Sequence, residues 1–238
     1  MSLFPDLIPQ VSWLGDRFLR GPIRGVVLSF HGLGGGIKSD ISTVELAWAA
    51  AGGLVVFPYY GPWSWMNRPA RAFVDDLVDA VYAKFQLPDR IPLISTGGSM
   101  GGLSSLLYTR YARRSVAACL ALFPVCDFKL HFTERPDLPP TIRHAFLGYP
   151  GTWDEFLTES SPLCQVDKLP PIPYQFIHGD QDAAVSKTIH SDPMVAAMRR
   201  RSLNVDYLEV PGLGHGTAVP LAVLEKQIAF VSSFLRGP

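Results

Sequence analysis

The sequence predicts an α/β fold: a mostly parallel, doubly wound sheet built on a single domain. Three observations predict it. Short runs rich in β-branched residues alternate about six times with longer amphipathic stretches. Gly or Pro punctuates the changes between them. The alternation runs from about residue 25 to the C-terminus with no internal repeat and no low-complexity linker. Such a pattern requires right-handed crossovers and helices on both faces of a parallel sheet. In sheets of this kind, ligands collect at the carboxyl ends of the strands.

The elements follow in order. GVVLSFHG (25–32) reads as a buried strand closed by glycine. A helix is expected over 39–53, where Val44, Ala47, Trp48 and Ala51 recur at helical spacing before two glycines. LVVFPYY (54–60) is the next strand. The stretch 68–87 is an amphipathic helix with Phe73, Leu77, Val81 and Phe85 on one face. IPLIST (91–96) is a strand, 100–114 a helix and SVAACLALFPV (115–125) a strand. YQFIHGD (174–180) and NVDYLEVPG (204–212) are strands, separated by a helix over 192–202 that Asp192 and Pro193 open. A last helix covers 218–236. Near the start, QVSWLGDRFLRG (10–21) suggests a short antiparallel hairpin. Residues 127–171 interrupt the alternation with prolines and aromatics and read as a small helical cap or lid.

Composition narrows the function. Of 238 residues, 47% are apolar and 18% charged, which excludes a disordered tail or a polyelectrolyte. The formal net charge is zero, so nothing steers the chain to nucleic acid or an acidic membrane. The basic runs RYARR (110–114) and MRRR (198–201) fall at expected helix ends, where cations complement the helix dipole. No apolar run approaches a membrane span, and no basic segment leads into an apolar one at the N-terminus. A cytoplasmic protein is expected. Cys119, Cys126 and Cys164 match no zinc spacing and read as free thiols, with a Cys126–Cys164 bridge left open. No metal and no cofactor is expected. Self-association into a homodimer is compatible with all of this.

The chemistry concentrates in LISTGGSMGGLSS (93–105), which places Ser99 within G-x-S-x-G between a strand and a helix. A nucleophile at so tight a turn sits in a strained conformation that small neighbours permit, above the sheet edge and at a helix N-terminus. A phosphate-loop reading of the glycines in HGLGGG (31–36) fails, because no G-K-[ST] follows and no G-x-G-x-x-G opens a helix. A serine nucleophile needs a base and an orienting acid, and this topology expects them in the order Ser, Asp, His. FIHGDQDAAV (176–185) supplies Asp182 as the acid; Asp180 beside it reads as a loop hydrogen-bonder, and Asp127 after an earlier strand is the rival. EVPGLGHGTA (209–218) supplies His215 as the base after the last strand. His31 and His178 each precede a glycine at a strand end and read as local hydrogen-bonders. His131 and His144 lie in the cap, and His190 in a polar turn. The oxyanion donors are expected at the Met100 N–H and at the Leu33 N–H, with Gly34 the alternative. Tyr59, Tyr60, Trp63 and Trp65 in PYYGPWSWMN (58–67) should overhang the site, the first three as substrate-binding side chains.

On GGSMGG (97–102), HGDQDAAV (178–185) and GLGHG (212–216), the chain resembles the α/β-hydrolase superfamily from about residue 25 onward. Its closing half, SPLCQVDKLPPIPYQFIHGDQDAAVS (161–186), looks most like the catalytic domain of prolyl-oligopeptidase-type peptidases and the dienelactone-hydrolase-like esterases. The resemblance implies a cofactor-free serine hydrolase with Ser99, Asp182 and His215 as its triad. Two departures favour an esterase over either named activity. The propeller domain that restricts oligopeptidases to short peptides has no counterpart here, and Ser99 replaces the cysteine of dienelactone hydrolases. The expected activity is cleavage of small soluble carboxylic esters. A short-peptide peptidase and a carbohydrate deacetylase are the alternatives.

Overall fold

The computed structural model describes residues 5–236. Seven strands form one sheet in the order β1-β3-β2-β4-β5-β6-β7. They are β1 (Ser12–Leu14), β2 (Gly25–Phe30), β3 (Gly53–Pro58), β4 (Leu93–Gly98), β5 (Val116–Leu122), β6 (Tyr174–Gly179) and β7 (Val205–Val210). All neighbours pair in parallel except β1, which runs antiparallel to β3. The nine α-helices among the described residues are α1 (Ile8–Val11), α2 (Thr43–Ala50), α3 (Arg68–Lys84), α4 (Met100–Tyr111), α5 (Phe128–Glu134), α6 (Leu138–Phe146), α7 (Trp153–Glu159), α8 (Ser191–Arg200) and α9 (Leu221–Ser233).

The period-two alternation of the strands divides the core into two layers. Val26, Leu28 and Phe30 of β2 pack with Val74, Leu77 and Val81 of α3 and Leu103 and Leu107 of α4. Val27 and Val55 point the other way, into a cluster with Trp48 of α2 and Val223 and Val231 of α9. The face with α3 and α4 also receives α8, through Met194 and Met198 against Cys119 and Phe176. The expected doubly wound sheet is thus present, with strong local signals at its helix starts. Ser42 and Glu45 form a reciprocal capping box on α2, and Asn67 caps α3 ahead of Pro69.

One element differs from the reading of the sequence. The stretch 10–21 does not form a hairpin with itself. Its strand β1 pairs with β3 instead, Ser12 opposite Pro58, and the Gly15 N–H donates to the Val55 carbonyl at 2.8 Å. Residues Asp16–Phe18 then form a 3₁₀ turn. The open edge of β3 offers a longer ladder than a hairpin with so short a return strand.

Residues 127–171 form the helices α5, α6 and α7 and a 3₁₀ segment, Pro162–Lys168. They are docked firmly on the sheet domain. Phe128, Ile142 and Phe156 belong to the same buried cluster as α3 and α4. Trp65 packs on Phe128 with ring centroids 5.2 Å apart. At the end of α7, Glu159 accepts from Arg68 at 2.7 Å and from Arg71, and the Tyr149 hydroxyl donates to it at 2.6 Å. Burial alone would raise the Glu159 pKa, but the hydrogen bonds from Arg68 and Tyr149 and the charge of Arg71 outweigh it and hold the group at about 2.

That depression predicts a pH-dependent contribution to stability. A carboxyl lowered in the folded state stabilises it above the ordinary carboxyl pKa and loses this as pH falls toward about 2. Glu159→Gln should therefore cost about 2 kcal/mol at pH 7, allowing for solvent screening, and progressively less between pH 4.5 and 2. Urea unfolding of both proteins across that range checks it; equal stability at pH 7 would show that the clamp contributes nothing.

Candidate active site

The turn between β4 and α4 lifts Ser99 above the sheet. Its backbone has φ 59° and ψ −125°, a left-handed conformation that a side chain rarely adopts. The sequence makes room for it. A Cβ at Gly97 would collide with the Gly101 carbonyl, and one at Gly101 with the carbonyl of Phe30. The turn is tied down by Ser99 N–H donating to Leu122 O at 3.0 Å, and by Gly102 and Leu103 N–H donating to Ser99 O.

Three loops at the carboxyl edge of the sheet converge on this serine. His215, after β7, has its Nε2 3.1 Å from Ser99 Oγ. Its Nδ1 lies 2.7 Å from Asp182 Oδ2, after β6. Because a carboxylate only accepts, the His215 proton sits on Nδ1, and Nε2 is free to accept from the serine hydroxyl. Asp182 is nearly sealed from solvent, its side chain 1% exposed. Burial pushes its carboxyl up, but contacts with His178 and His215 and the Val185 N–H together draw its pKa well below the usual carboxylate range. The Ala184 and Val185 N–H groups both donate to Oδ1, at 3.0 and 2.8 Å.

The rival acids are engaged elsewhere. Asp180 accepts from Gly212 N–H at 2.7 Å, as expected of a loop hydrogen-bonder. Asp127 caps α5, accepting from Leu130 N–H at 3.0 Å. In the loop after β2, Gly34 N–H is taken by the Pro62 carbonyl at 2.9 Å and Gly35 N–H by Gly32 O. Among the amides at 33–35, this leaves Leu33 as the one with no backbone acceptor. Gly32 faces Ser99 closely; a Cβ there would stand 3.8 Å from Ser99 Cβ. Met100 opens α4, so its N–H has no partner within the helix.

The expected aromatic overhang separates into two groups. Tyr59, Tyr60 and Trp63 line a cavity of about 450 Å³ together with Phe73, His144 and Leu147. Tyr59 also borders a second cavity of about 410 Å³, lined by His31, Gly34 to Gly36 and Ile37. Tyr60, however, is buried, and its hydroxyl donates to His31 O at 2.9 Å and contacts Ser104 Oγ at 3.1 Å. Its polar end therefore props the glycine loop and is unavailable to a substrate. Trp65 does not overhang the site at all: it is 1% exposed, and its Nε1–H donates to Thr141 Oγ1 in the cap.

The histidines sort similarly. His31 and His178 do hydrogen-bond locally. His190, expected in a polar turn, is instead fully buried. Its Nδ1 accepts from the N–H groups of Cys126 and Asp127 at 3.3 and 3.2 Å, so its proton lies on Nε2 and is donated to Glu134 Oε2 at 3.0 Å. His131 meets the same oxygen. These three side chains bring donor atoms within 4.8 Å of one another. A metal-bound histidine ordinarily donates its second ring N–H. Here the second nitrogen of His190 faces two donors, so the cluster is a hydrogen-bonded one that ties α5 to the start of α8. The three thiols are unpaired, Cys119 and Cys126 buried and Cys164 exposed. No helix of the described residues is long and apolar enough to cross a membrane.

Two contributors to the site escaped the reading of the sequence. Phe123, just past β5, has φ 36° and sets its ring 4.9 Å from that of His215. The same ring fills the space beside Gly98. No sequence signal marks a strained phenylalanine. The Ala184 and Val185 amides follow from the turn geometry alone.

A doubly wound sheet with a strained serine elbow at its carboxyl edge is the architecture of the α/β-hydrolase superfamily. Over residues 66–237 the sequence matches the prolyl oligopeptidase family, and the chain belongs to that family. It is 30% identical over 156 residues to dipeptidyl aminopeptidase BIII of Pseudoxanthomonas mexicana, a match covering 61% of this chain and 22% of that protein. Among solved structures it superposes on the acylaminoacyl peptidase of Pyrococcus horikoshii with TM-score 0.75 at 14% identity, over 94% of this chain and 38% of the other. A puromycin-hydrolyzing peptidase of Mycobacterium tuberculosis gives TM-score 0.71 at 21% identity, over 91% and 35%. Esterase PE8 gives 0.62 at 16% identity, over 91% and 95%. The chain thus spans well under half the length of the peptidases and nearly all of the esterase.

Proposed function

We propose that this protein hydrolyses small, uncharged carboxylic esters through an acyl-enzyme, with Ser99 as nucleophile, His215 as general base and acid, and Asp182 as the orienting carboxylate. His215 Nε2 takes the Ser99 proton as Oγ attacks the carbonyl carbon, and the Leu33 and Met100 amides receive the oxyanion. The C–O bond to the alcohol breaks as His215 returns that proton to the departing oxygen. Water then repeats the sequence on the acyl-Ser99 ester, releasing the acid.

The observation that carries the ester reading is the lining of the two cavities beside the glycine loop. Neither includes an Asp, Glu, Lys or Arg side chain, and both are bordered by tyrosine, proline and glycine. A free peptide amine would meet no carboxylate there, whereas an apolar acyl or alcohol group suits such walls. Free thiols on this chain accord with a cytoplasmic setting. Membership of the prolyl oligopeptidase family favours a second reading, a peptidase of short peptides.

A rate panel separates them. p-Nitrophenyl esters from acetate to octanoate are compared with alanyl and prolyl p-nitroanilides, with Ser99→Ala as the blank. Fast ester cleavage with silent anilides is the expected result, and the chain-length optimum sizes the acyl pocket. Anilide cleavage at comparable kcat/KM that vanishes in Ser99→Ala would instead establish the peptidase.

A further inference from the structure

We infer that His178 is a positioning residue for Asp182, holding the carboxylate in the one orientation from which it can steer His215. The inference rests on the reading of Ser99, His215 and Asp182 as the triad. His178 is the penultimate residue of β6 and fully buried, yet it belongs to no part of the proposed chemistry. Both of its ring nitrogens are engaged. Nε2 lies 2.7 Å from the Val185 carbonyl, which can only accept, so the ring proton is on Nε2. Nδ1 then accepts from the Ser191 hydroxyl at 2.7 Å. Held in this way, Nε2 also stands 3.4 Å from Asp182 Oδ2.

The consequence is a closed ring of contacts around one carboxylate. The Val185 carbonyl accepts from His178 while its N–H donates to Asp182 Oδ1, so His178 fixes the turn that grips Asp182. The other oxygen, Oδ2, is flanked by His178 and His215. Rotation of the carboxylate would break the backbone bonds on one side and move Oδ2 away from His215 on the other. A buried carboxylate with only His215 facing Oδ2 would be free to tilt, and the His215 ring would tilt with it. The site lies on rigid elements, a strand end and the first turn of α8, as accurate positioning demands.

Two polar replacements separate the roles of the two nitrogens. In His178→Gln the amide N–H₂ stands near the place of Nε2 and keeps a donor for Val185 and Asp182. In His178→Asn it stands near Nδ1, serving Ser191 and leaving the turn without its donor. With p-nitrophenyl acetate as substrate, His178→Asn is expected to lower kcat about 30-fold with KM within threefold, because misplacing a catalytic group by a fraction of an ångström to 1 Å costs up to about 100-fold. His178→Gln should recover to within about fivefold of the parent, and the downfield proton resonance of His215 Nδ1–H should survive in Gln and shift or vanish in Asn. In an Asp182→Asn background, His178→Asn should cost nothing further, since its effect passes through that carboxylate. His178→Asn as active as His178→Gln, or a full additive loss in the Asp182→Asn background, overturns the inference. Should Asp182→Asn itself leave kcat near the parent value, the triad reading falls rather than the role of His178 within it.

Discussion

Ser99→Ala is expected to lower kcat on a p-nitrophenyl ester by about 10⁴-fold or more, and His215→Ala by a similar factor. The size follows from the arrangement of the two groups. Ser99 Oγ stands 3.1 Å from His215 Nε2, at the top of a turn whose strain holds the hydroxyl in place. Without Oγ no acyl-enzyme forms; without Nε2 the hydroxyl keeps its proton and stays a poor nucleophile. Because the two act as a unit, the double variant should be no slower than either single one. Burst titration and steady-state rates on the purified variants check both statements. Activity within tenfold of the parent in either single variant would remove Ser99 and His215 from the chemistry.

Asp182→Asn should cost about 10⁴-fold in kcat while leaving the protein folded. The reason is the pair of backbone donors on Oδ1. Ala184 and Val185 N–H will hold the asparagine oxygen, which turns its amide N–H₂ toward His215. His215 Nδ1 must then accept, its proton moves to Nε2, and that nitrogen can no longer take the serine proton. Asp127→Asn and Asp180→Asn should stay within a few-fold of the parent, since one caps α5 and the other accepts from Gly212 N–H. A larger loss in Asp127→Asn than in Asp182→Asn would mean that the acid had been assigned to the wrong strand end.

The legible parts of this molecule are those with a local physical cause. Helix α3 declared itself through Phe73, Leu77, Val81 and Phe85, which recur on one face and do pack on the core, because a helical period is a property of near neighbours. The elbow at Ser99 was visible because only glycine tolerates the close approaches at 97 and 101. The illegible parts depend on a partner distant in the chain. His190 looked like a turn residue among polar neighbours, yet Glu134 and two amides at 126 and 127 bury it. Trp65 looked like a rim aromatic, yet Thr141 and Phe128 of the cap take it into the core. Nothing near Gln10 announced that β1 would join the edge of β3 rather than fold back on itself.

The amino-acid order alone determined the doubly wound sheet, the strained serine and the sequence of strand ends from which an acid and a base would come, since periodicity, glycine spacing and chain order are properties of neighbours. Only the tertiary structure decided which aspartate meets His215, that Leu33 rather than Gly34 keeps an uncommitted amide, and that no Asp, Glu, Lys or Arg lines the two cavities bordered by Tyr59. Those outcomes depend on how loops from separate strands pack at one edge of the sheet, where a shift of an ångström exchanges one hydrogen-bond partner for another.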